Sequence, residues 1–228
     1  MATIWLAATN ALVLYIHPRY IVFTVVMAVL ALIITLASVL LRRTHDHPET
    51  LSRSQNVLSG AAVVVTLAIA AAMVVVPPAT LTSATAAQRD LNSGPVDQGD
   101  TSAQDAAASG ASRSLSVRDW SALLRQTTDP AFFADKPVDV VGFVTEDPSD
   151  PDNLFFVSRF VVTCCAVDAQ PVGVPVYLPD WKGSYDVDAW VHVTGTFDVD
   201  PSTASDAPIA LLPDTVEKVT TPDDPYLF

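Results

Sequence analysis

The stretch Ile21–Leu41, IVFTVVMAVLALIITLASVLL, is a run of 21 residues without a charged side chain. Its only polar members are Thr24, Thr35 and Ser38. A helix needs about 20 apolar residues to cross a bilayer, and the buried core helix of a globular domain is usually shorter. The sequence therefore predicts a membrane-spanning helix at 21–41.

Two further apolar segments flank this run. Val57–Val76 is uncharged over 20 residues and predicts another span, whereas Ala2–Ile16 has 15 residues and contains Asn10. The shorter segment is compatible with a short span, an interfacial helix or a signal-like segment. We favour the short span because no Lys or Arg precedes Arg19. The prediction is thus two or three transmembrane helices (2–16, 21–41 and 57–76) within residues 1–78.

The charge distribution predicts the orientation of the chain in the membrane and excludes nucleic acid as a partner. The loop 42–55 carries three arginines and the turn 17–20 carries one. Since basic loops stay in the cytoplasm, we expect a multi-pass protein of the cell membrane whose chain after residue 77 is extracytoplasmic. Residues 81–228 hold 23 acidic and eight basic side chains. Such a surface repels nucleic acid, so the expected surroundings are membrane lipid and protein.

Composition changes again inside this acidic part. Residues 79–114 are rich in Ala, Ser, Thr, Asp, Gln and Gly and contain few large apolar side chains. Such a segment buries too little surface to offset its ordering entropy, which predicts a flexible linker. Residues 115–228 predict one domain, beginning with a short helix that Ser116 caps together with Asp119.

Alternating apolar residues after this helix predict five strand regions, at 138–144, 154–164, 174–178, 190–197 and 209–219. Gly142 and Gly195 lie where strongly bent strands need relief from a side chain. The predicted fold class is membrane α plus soluble β, with an OB-like small β-barrel at the C-terminus. A short sandwich is the alternative.

The two cysteines of the chain, Cys164 and Cys165, are adjacent. They allow three interpretations: small packing residues, thiolate metal ligands, or an exposed redox-active thiol. Asp168 and His192 are the candidates to complete a metal site, for a divalent ion such as zinc. Because neighbouring strand residues point to opposite faces, we expect one thiol to face the core and the other to face outward.

A second group of ligand types lies in the loop that follows the 21–41 helix. His45 and His47 stand beside Asp46 and Glu49, and together they could bind a divalent ion weakly or form a solvated polar loop. We find no nucleophile elbow, phosphate-binding loop, dinucleotide fingerprint or zinc-protease helix in the sequence. The sequence therefore predicts no catalytic residues and no enzyme activity.

Several blocks of sequence resemble a known bacterial family. The most specific is RFVVTCCAVDA at 159–169, and it is accompanied by LYIHPRY at 14–20 and WVHVTG at 190–195. In these blocks the chain resembles the YcgQ-type family of bacterial membrane proteins, described as permease subunits. The resemblance implies a partner, a larger polytopic YraQ-type permease-like protein.

The expected function is therefore an accessory subunit of a membrane permease complex, with an external β domain that binds metal or substrate at the permease mouth. One alternative is a membrane-tethered binding or redox protein that acts through Cys164 and Cys165 without a permease. Another alternative is a structural protein of the cell envelope. Co-purification with a polytopic protein separates the first function from the other two.

Overall fold

The computed structural model describes residues 2–44, 61–66, 68–69, 71–72, 80–94 and 101–228. Contacts divide the chain into two compact units, unit 1 at Met1–Ala79 and unit 2 at Thr80–Phe228. Unit 1 carries the apolar segments that the sequence singled out. Unit 2 carries the strands and the candidate ligand residues Cys164 and Cys165.

Within the described residues, unit 1 contains one helix that is long and apolar enough to cross a bilayer. This helix, α2, spans Ile21–Thr44, and the apolar stretch Pro18–Ser38 is not buried inside the protein. The N-terminal helix α1, Ala2–Ala8, has seven residues and ends before Asn10, which has a left-handed φ of 57°. At about 1.5 Å per residue, α1 is far too short to cross a bilayer.

The prediction of two or three membrane helices is therefore wrong, because only α2 among the described residues has the required length. The predicted span at 57–76 contributes helical pieces at 61–66, 68–69 and 71–72, and its other residues lie outside the described part of the chain. One apolar helix near the N-terminus is compatible with a membrane anchor or with a signal sequence.

Unit 2 is built on one mixed sheet of six strands. They are β1 Pro137–Glu146, β2 Leu154–Val161, β3 Gln170–Tyr177, β4 Trp190–Val199, β5 Ile209–Lys218 and β6 Tyr226–Leu227. Their order is β1-β4-β5-β3-β2-β6, and β1 also pairs with β2, so the first five strands form a closed ring. The pairs β3–β5 and β2–β6 are parallel, and the others are antiparallel.

The sixth strand corrects the predicted five-strand barrel. Tyr226–Leu227 is too short to show an alternating pattern, and it is defined only by its parallel pairing with Phe160 and Val161 of β2. The sequence therefore gave no local signal for it. The mixed sheet with six strands, and the single candidate span among the residues that the structure describes, together replace the fold class predicted above.

Two glycines allow the strands to approach closely where the ring bends. At Gly142, where β1 changes its partner from β4 to β2, an added Cβ would lie 2.6 Å from the backbone oxygen of Ser158. At Gly195, beside a β-bulge, an added Cβ would lie 2.2 Å from the backbone oxygen of Leu212. A side chain at either position would clash with the backbone of the neighbouring strand, so both positions require glycine.

The segment predicted as a flexible linker, 79–114, is folded against unit 2 where the structure describes it. It contains helix α3, Ser83–Ala86, and helix α4, Thr101–Ala108. The buried residues of this segment are small, and they are Ala86, Ala103, Ala107 and Ser112. Composition misled the prediction because hydrogen bonds and small side chains, rather than large apolar ones, hold this segment in place.

Helix α5, Val117–Gln126, packs against β1, β2 and β3. Ser116 and Asp119 form a reciprocal capping box at its start, which confirms the predicted helix start. Trp120 is fully buried, with its ring 5.0 Å from the ring of Phe197 on β4. The short helix α6, Pro130–Phe133, adds Phe133 to the same aromatic cluster. These contacts hold the helices on the sheet.

Candidate metal centre

The candidate metal ligands lie in the loop that connects β2 to β3. β2 ends at Val161, and the buried Val162 donates its N–H to the carbonyl of Leu227 at 2.8 Å. Regular pairing resumes at Gln170. The eight residues between, 162–169, are therefore fixed at both ends by the sheet, and they carry both cysteines.

Asp168 organises this loop through its carboxylate. One carboxylate oxygen accepts the N–H of Thr163 at 3.1 Å, and the other accepts the N–H groups of Cys164 at 2.8 Å and Cys165 at 3.3 Å. The N–H of Asp168 in turn donates to the carbonyl of Cys165 at 3.0 Å. Because three backbone donors point at one side chain, the loop curls around Asp168.

This curl brings both thiols to the same place. A ligand atom from each of Cys164, Cys165 and Asp168 lies within 4.8 Å of the other two, and both cysteines are free thiols. Cys164 is exposed, and Cys165 and Asp168 are half-buried. The prediction that the two thiols point to opposite faces is wrong, because the cysteines lie in a turn and not in a regular strand.

The surroundings of Cys164 disfavour its thiolate in the absence of a cation. Desolvation raises the pKa of Cys164 first, and the neighbouring Cys165 and the charge of Asp168 raise it further. A protonated thiol is a poor nucleophile, so this environment does not favour redox catalysis. A bound metal ion stabilises the thiolate directly, so it favours the deprotonated form of Cys164 as a metal ligand.

Two sulfurs and one carboxylate oxygen form an incomplete ligand set for a soft or borderline ion. Thiolates favour ions such as Zn²⁺ and Cu⁺, and a tetrahedral zinc site requires a fourth ligand. Since Cys164 is exposed, that position is open to water, to a bound solute or to a group from another protein. Such an open site suits reversible metal binding better than a closed structural role.

His192, the predicted fourth ligand, does not belong to this cluster. It lies on β4 opposite Val141 of β1, and its Nε2 is 2.7 Å from a carboxylate oxygen of Asp139. Asp139 is two residues away along β1, on the same face of the sheet. A partner across the β1–β4 ladder therefore holds this ring, and the structure does not place it with Cys164 and Cys165.

The remaining predicted ligands, His45 and His47, lie outside the described residues. Arg159 of β2 is held by two backbone carbonyls and an aromatic ring. Its guanidinium donates to the carbonyls of Val141 at 3.2 Å and Asp224 at 2.6 Å and lies 5.2 Å from the Trp190 ring centre. Burial lowers the pKa of Arg159 from its ordinary value, and the charge of Asp224 opposes that shift.

Comparison with known families covers both units. The model of the DUF1980 N-terminal domain matches residues 1–92, and the model of the DUF1980 C-terminal domain matches residues 100–228. The second match includes the whole sheet and the cysteine loop. No curated protein matches the chain.

Proposed function

Because the chain belongs to the bacterial DUF1980 family, we propose that it is a membrane-anchored accessory subunit of a permease, with a β domain that binds a soft metal ion. Cys164, Cys165 and Asp168 are the proposed ligands. The permease part of the proposal rests on the YcgQ-type resemblance of the sequence blocks around the cysteines. The metal part rests on the geometry of the loop.

The observation that carries the metal proposal is the convergence of three ligand atoms within 4.8 Å on one exposed loop. Packing alone does not account for this arrangement, since Cys164 is exposed and contributes little to a core. A redox role is disfavoured because the pKa of Cys164 is raised by desolvation, by the neighbouring Cys165 and by the charge of Asp168. A cation is the ligand that makes two neighbouring thiolates and a carboxylate stable together.

Titration of the full-length chain with zinc tests the metal proposal. We expect Cys164→Ser, Cys165→Ser and Asp168→Asn each to weaken binding by at least about tenfold, because loss of a partner that only orients a ligand already costs about 10–100-fold in metal affinity. His192→Ala is the matched control, because the structure places that ring with Asp139. Equal binding by the wild type and both serine variants would show that the cysteines only pack.

The proposed anchor is α2, whose apolar stretch Pro18–Ser38 is not buried in the protein. We expect the full-length chain to remain with the membrane after an alkaline carbonate wash and to leave it only in detergent. Extraction by carbonate alone would remove the anchor from the proposal.

The extracytoplasmic position of unit 2 stays a prediction. Labelling of the variant Ser102→Cys in intact cells with a membrane-impermeant thiol reagent tests it, with the unmodified chain as the control for Cys164 and Cys165.

Purification from the native bacterium tests the proposed permease partner. We expect a tagged chain extracted in mild detergent to carry one polytopic membrane protein in fixed stoichiometry. A single-anchor protein of the same membrane, tagged in the same way, is the control. If the chain purifies alone while it still binds zinc, the alternative of a membrane-tethered binding protein replaces the accessory subunit.

A further inference from the structure

Unit 2 contains a cavity of about 850 Å³ that is separate from the cysteine loop. This volume lies within the range of pockets that bind small molecules, roughly 300–1,000 Å³. Its apolar wall comes from several elements and includes Leu91, Leu124, Phe156, Pro175 and Ile209. A cavity of this size with a largely apolar wall can accommodate a small organic molecule.

One wall of the cavity is the segment that the sequence predicted to be a flexible linker. We call residues 83–94 the strap. At its start, the N–H and hydroxyl of Ser83 both donate to the Asp188 carboxylate, at 2.6 and 3.0 Å. Near its end, the side-chain amide of Asn92 exchanges two hydrogen bonds with the backbone of Gly173 on β3, at 2.8 and 3.0 Å. The wall is therefore fixed at both ends.

The cation at the cavity wall, Arg125, is already engaged by the strap. One of its terminal nitrogens donates to the carbonyls of Asn92 and Gly94, both at 2.7 Å, and its Nε donates to the carbonyl of Ser121 at 3.3 Å. These contacts use the guanidinium to hold the strap on α5. Arg125 is accordingly a structural group, and it is a poor candidate for binding an anion.

The cavity is also lined by acidic side chains. Four carboxylates line it, those of Asp90, Glu146, Asp147 and Asp206. Glu146 forms an ion pair with Lys182 at 2.7 Å. Asp147 is only 4% exposed, and it accepts hydrogen bonds from the N–H of Ser149 at 2.7 Å and, more weakly, from the hydroxyl of Ser205 at 3.4 Å. No ion pair of Asp147 exists within the described part of the chain.

A buried carboxylate with only neutral partners is costly, and a cation beside it offsets that cost. Asp147 lies at the wall of a cavity whose other surfaces are mostly apolar. We propose that this cavity binds a small amphipathic cation, an apolar body with one amine or similar cationic group that reaches Asp147. The apolar body would lie against the wall that includes Phe156 and Ile209.

Three compounds with the same apolar body test the proposal: 4-phenylbutylamine, 4-phenylbutanol and 4-phenylbutyrate. Calorimetry would use the full-length chain in lipid nanodiscs, with empty nanodiscs as the blank. We expect the amine to bind at least about tenfold more tightly than the alcohol, the gain typical of one charge-assisted hydrogen bond, and the carboxylate to bind most weakly. This series uses the unmodified chain, so it needs no variant to fold.

Three substitutions locate the site. Asp147→Asn should remove the preference for the amine over the alcohol, whereas Asp214→Asn, the same change at an exposed position of β5 outside the cavity, should leave it unchanged. Ala87→Trp, which fills the cavity from the strap side, should abolish binding of both compounds.

Three results would overturn the proposal. One is equal affinity for the amine, alcohol and carboxylate, or no binding of any of them. Another is tightest binding of the carboxylate, which would make Arg125 the recognition group. The third is an equal effect of Asp147→Asn and Asp214→Asn on the amine.

Discussion

At the scale of single residues, Asp168 shows how one side chain decides the chemistry of its neighbours. Its carboxylate accepts three backbone N–H groups and so fixes the turn that brings both thiols together. The same charge contributes to the raised pKa of Cys164. One residue therefore builds the candidate metal site and adds to the desolvation and the neighbouring thiol that disfavour the Cys164 thiolate.

The raised pKa of Cys164 predicts slow alkylation at neutral pH. Desolvation is its largest cause, and the thiol of Cys165 is the next. We expect the rate of iodoacetamide modification at Cys164 to rise with pH through a midpoint above that of the unfolded chain. Cys165→Ser should lower this midpoint, since it removes the neighbouring thiol. A midpoint at or below that of the unfolded chain would contradict the prediction.

Asp150 predicts a dependence of stability on acid pH. The hydrogen bond from the Ser202 hydroxyl, at 2.6 Å, is the largest cause of its lowered pKa, and the Asn153 side chain adds to the shift. A group with a lowered folded-state pKa stabilises the fold above its unfolded pKa of about 4, and this contribution disappears as pH falls through the folded value.

Urea unfolding of Ser202→Ala at pH 7 and pH 3 measures this effect. We expect the variant to be less stable than the wild type at pH 7 and the difference to shrink at pH 3, which lies below the unfolded pKa of about 4. Ser184→Ala, at an exposed position, is the control. A difference that stays constant between the two pH values would assign the Ser202 effect to its other contacts, including the N–H groups of Ala204 and Ser205 that its hydroxyl accepts.

At the scale of elements, the bulge between β4 and β5 depends on Gly195. A Cβ there would meet the Leu212 oxygen at 2.2 Å and the Pro213 Cα at 2.9 Å, and both are backbone atoms that cannot rotate away. We expect Gly195→Ala to destabilise unit 2 by about 1–3 kcal/mol, the usual cost of overpacking. Gly183→Ala, with no atom within 4 Å, should change stability by less than about 0.5 kcal/mol.

The sequence could predict the helices and strands whose signals lie within a few neighbouring residues. The capping box at Ser116 and the alternation in β1 to β4 are local, and the structure has these elements near the predicted places, although β2 ends at Val161 rather than at 164 and β3 begins at Gln170 rather than at 174. The short β6 depends on pairing with a distant strand, which no local pattern reveals. The sequence suggested His192 as a metal ligand beside the cysteines because histidine is a common ligand type. The register between β1 and β4 instead places its ring next to Asp139.

At the scale of the whole molecule, the boundary of the folded β unit differs from the compositional boundary. The sequence placed the start of the domain at residue 115, whereas contacts place the start of unit 2 at Thr80. The N–H of Leu81 donates to the Tyr226 hydroxyl at 3.0 Å, so the beginning of unit 2 is tied to its last strand. Long-range bonds of this kind leave no trace in amino-acid composition.

This boundary predicts the behaviour of three fragments, 80–228, 101–228 and 115–228. We expect 80–228 to fold alone with a β-dominated circular dichroism spectrum. The fragment 101–228 lacks residues 80–100 and so loses the seven hydrogen bonds described above for Leu81, Ser83, the Asn92 side chain and the two strap carbonyls that Arg125 contacts. At about 0.5–1 kcal/mol for each, the loss in unfolding free energy should be roughly 3.5–7 kcal/mol.

The fragment 115–228 should be less stable again, because it also loses the buried Ala103 and Ala107 of α4. Urea unfolding followed by tryptophan fluorescence measures all three fragments, since Trp120, Trp181 and Trp190 are retained in each. Equal stability of 80–228 and 115–228 would show that residues 80–114 are a tether after all. A graded loss would instead establish that the fold of unit 2 begins directly after unit 1, with the strap as part of it.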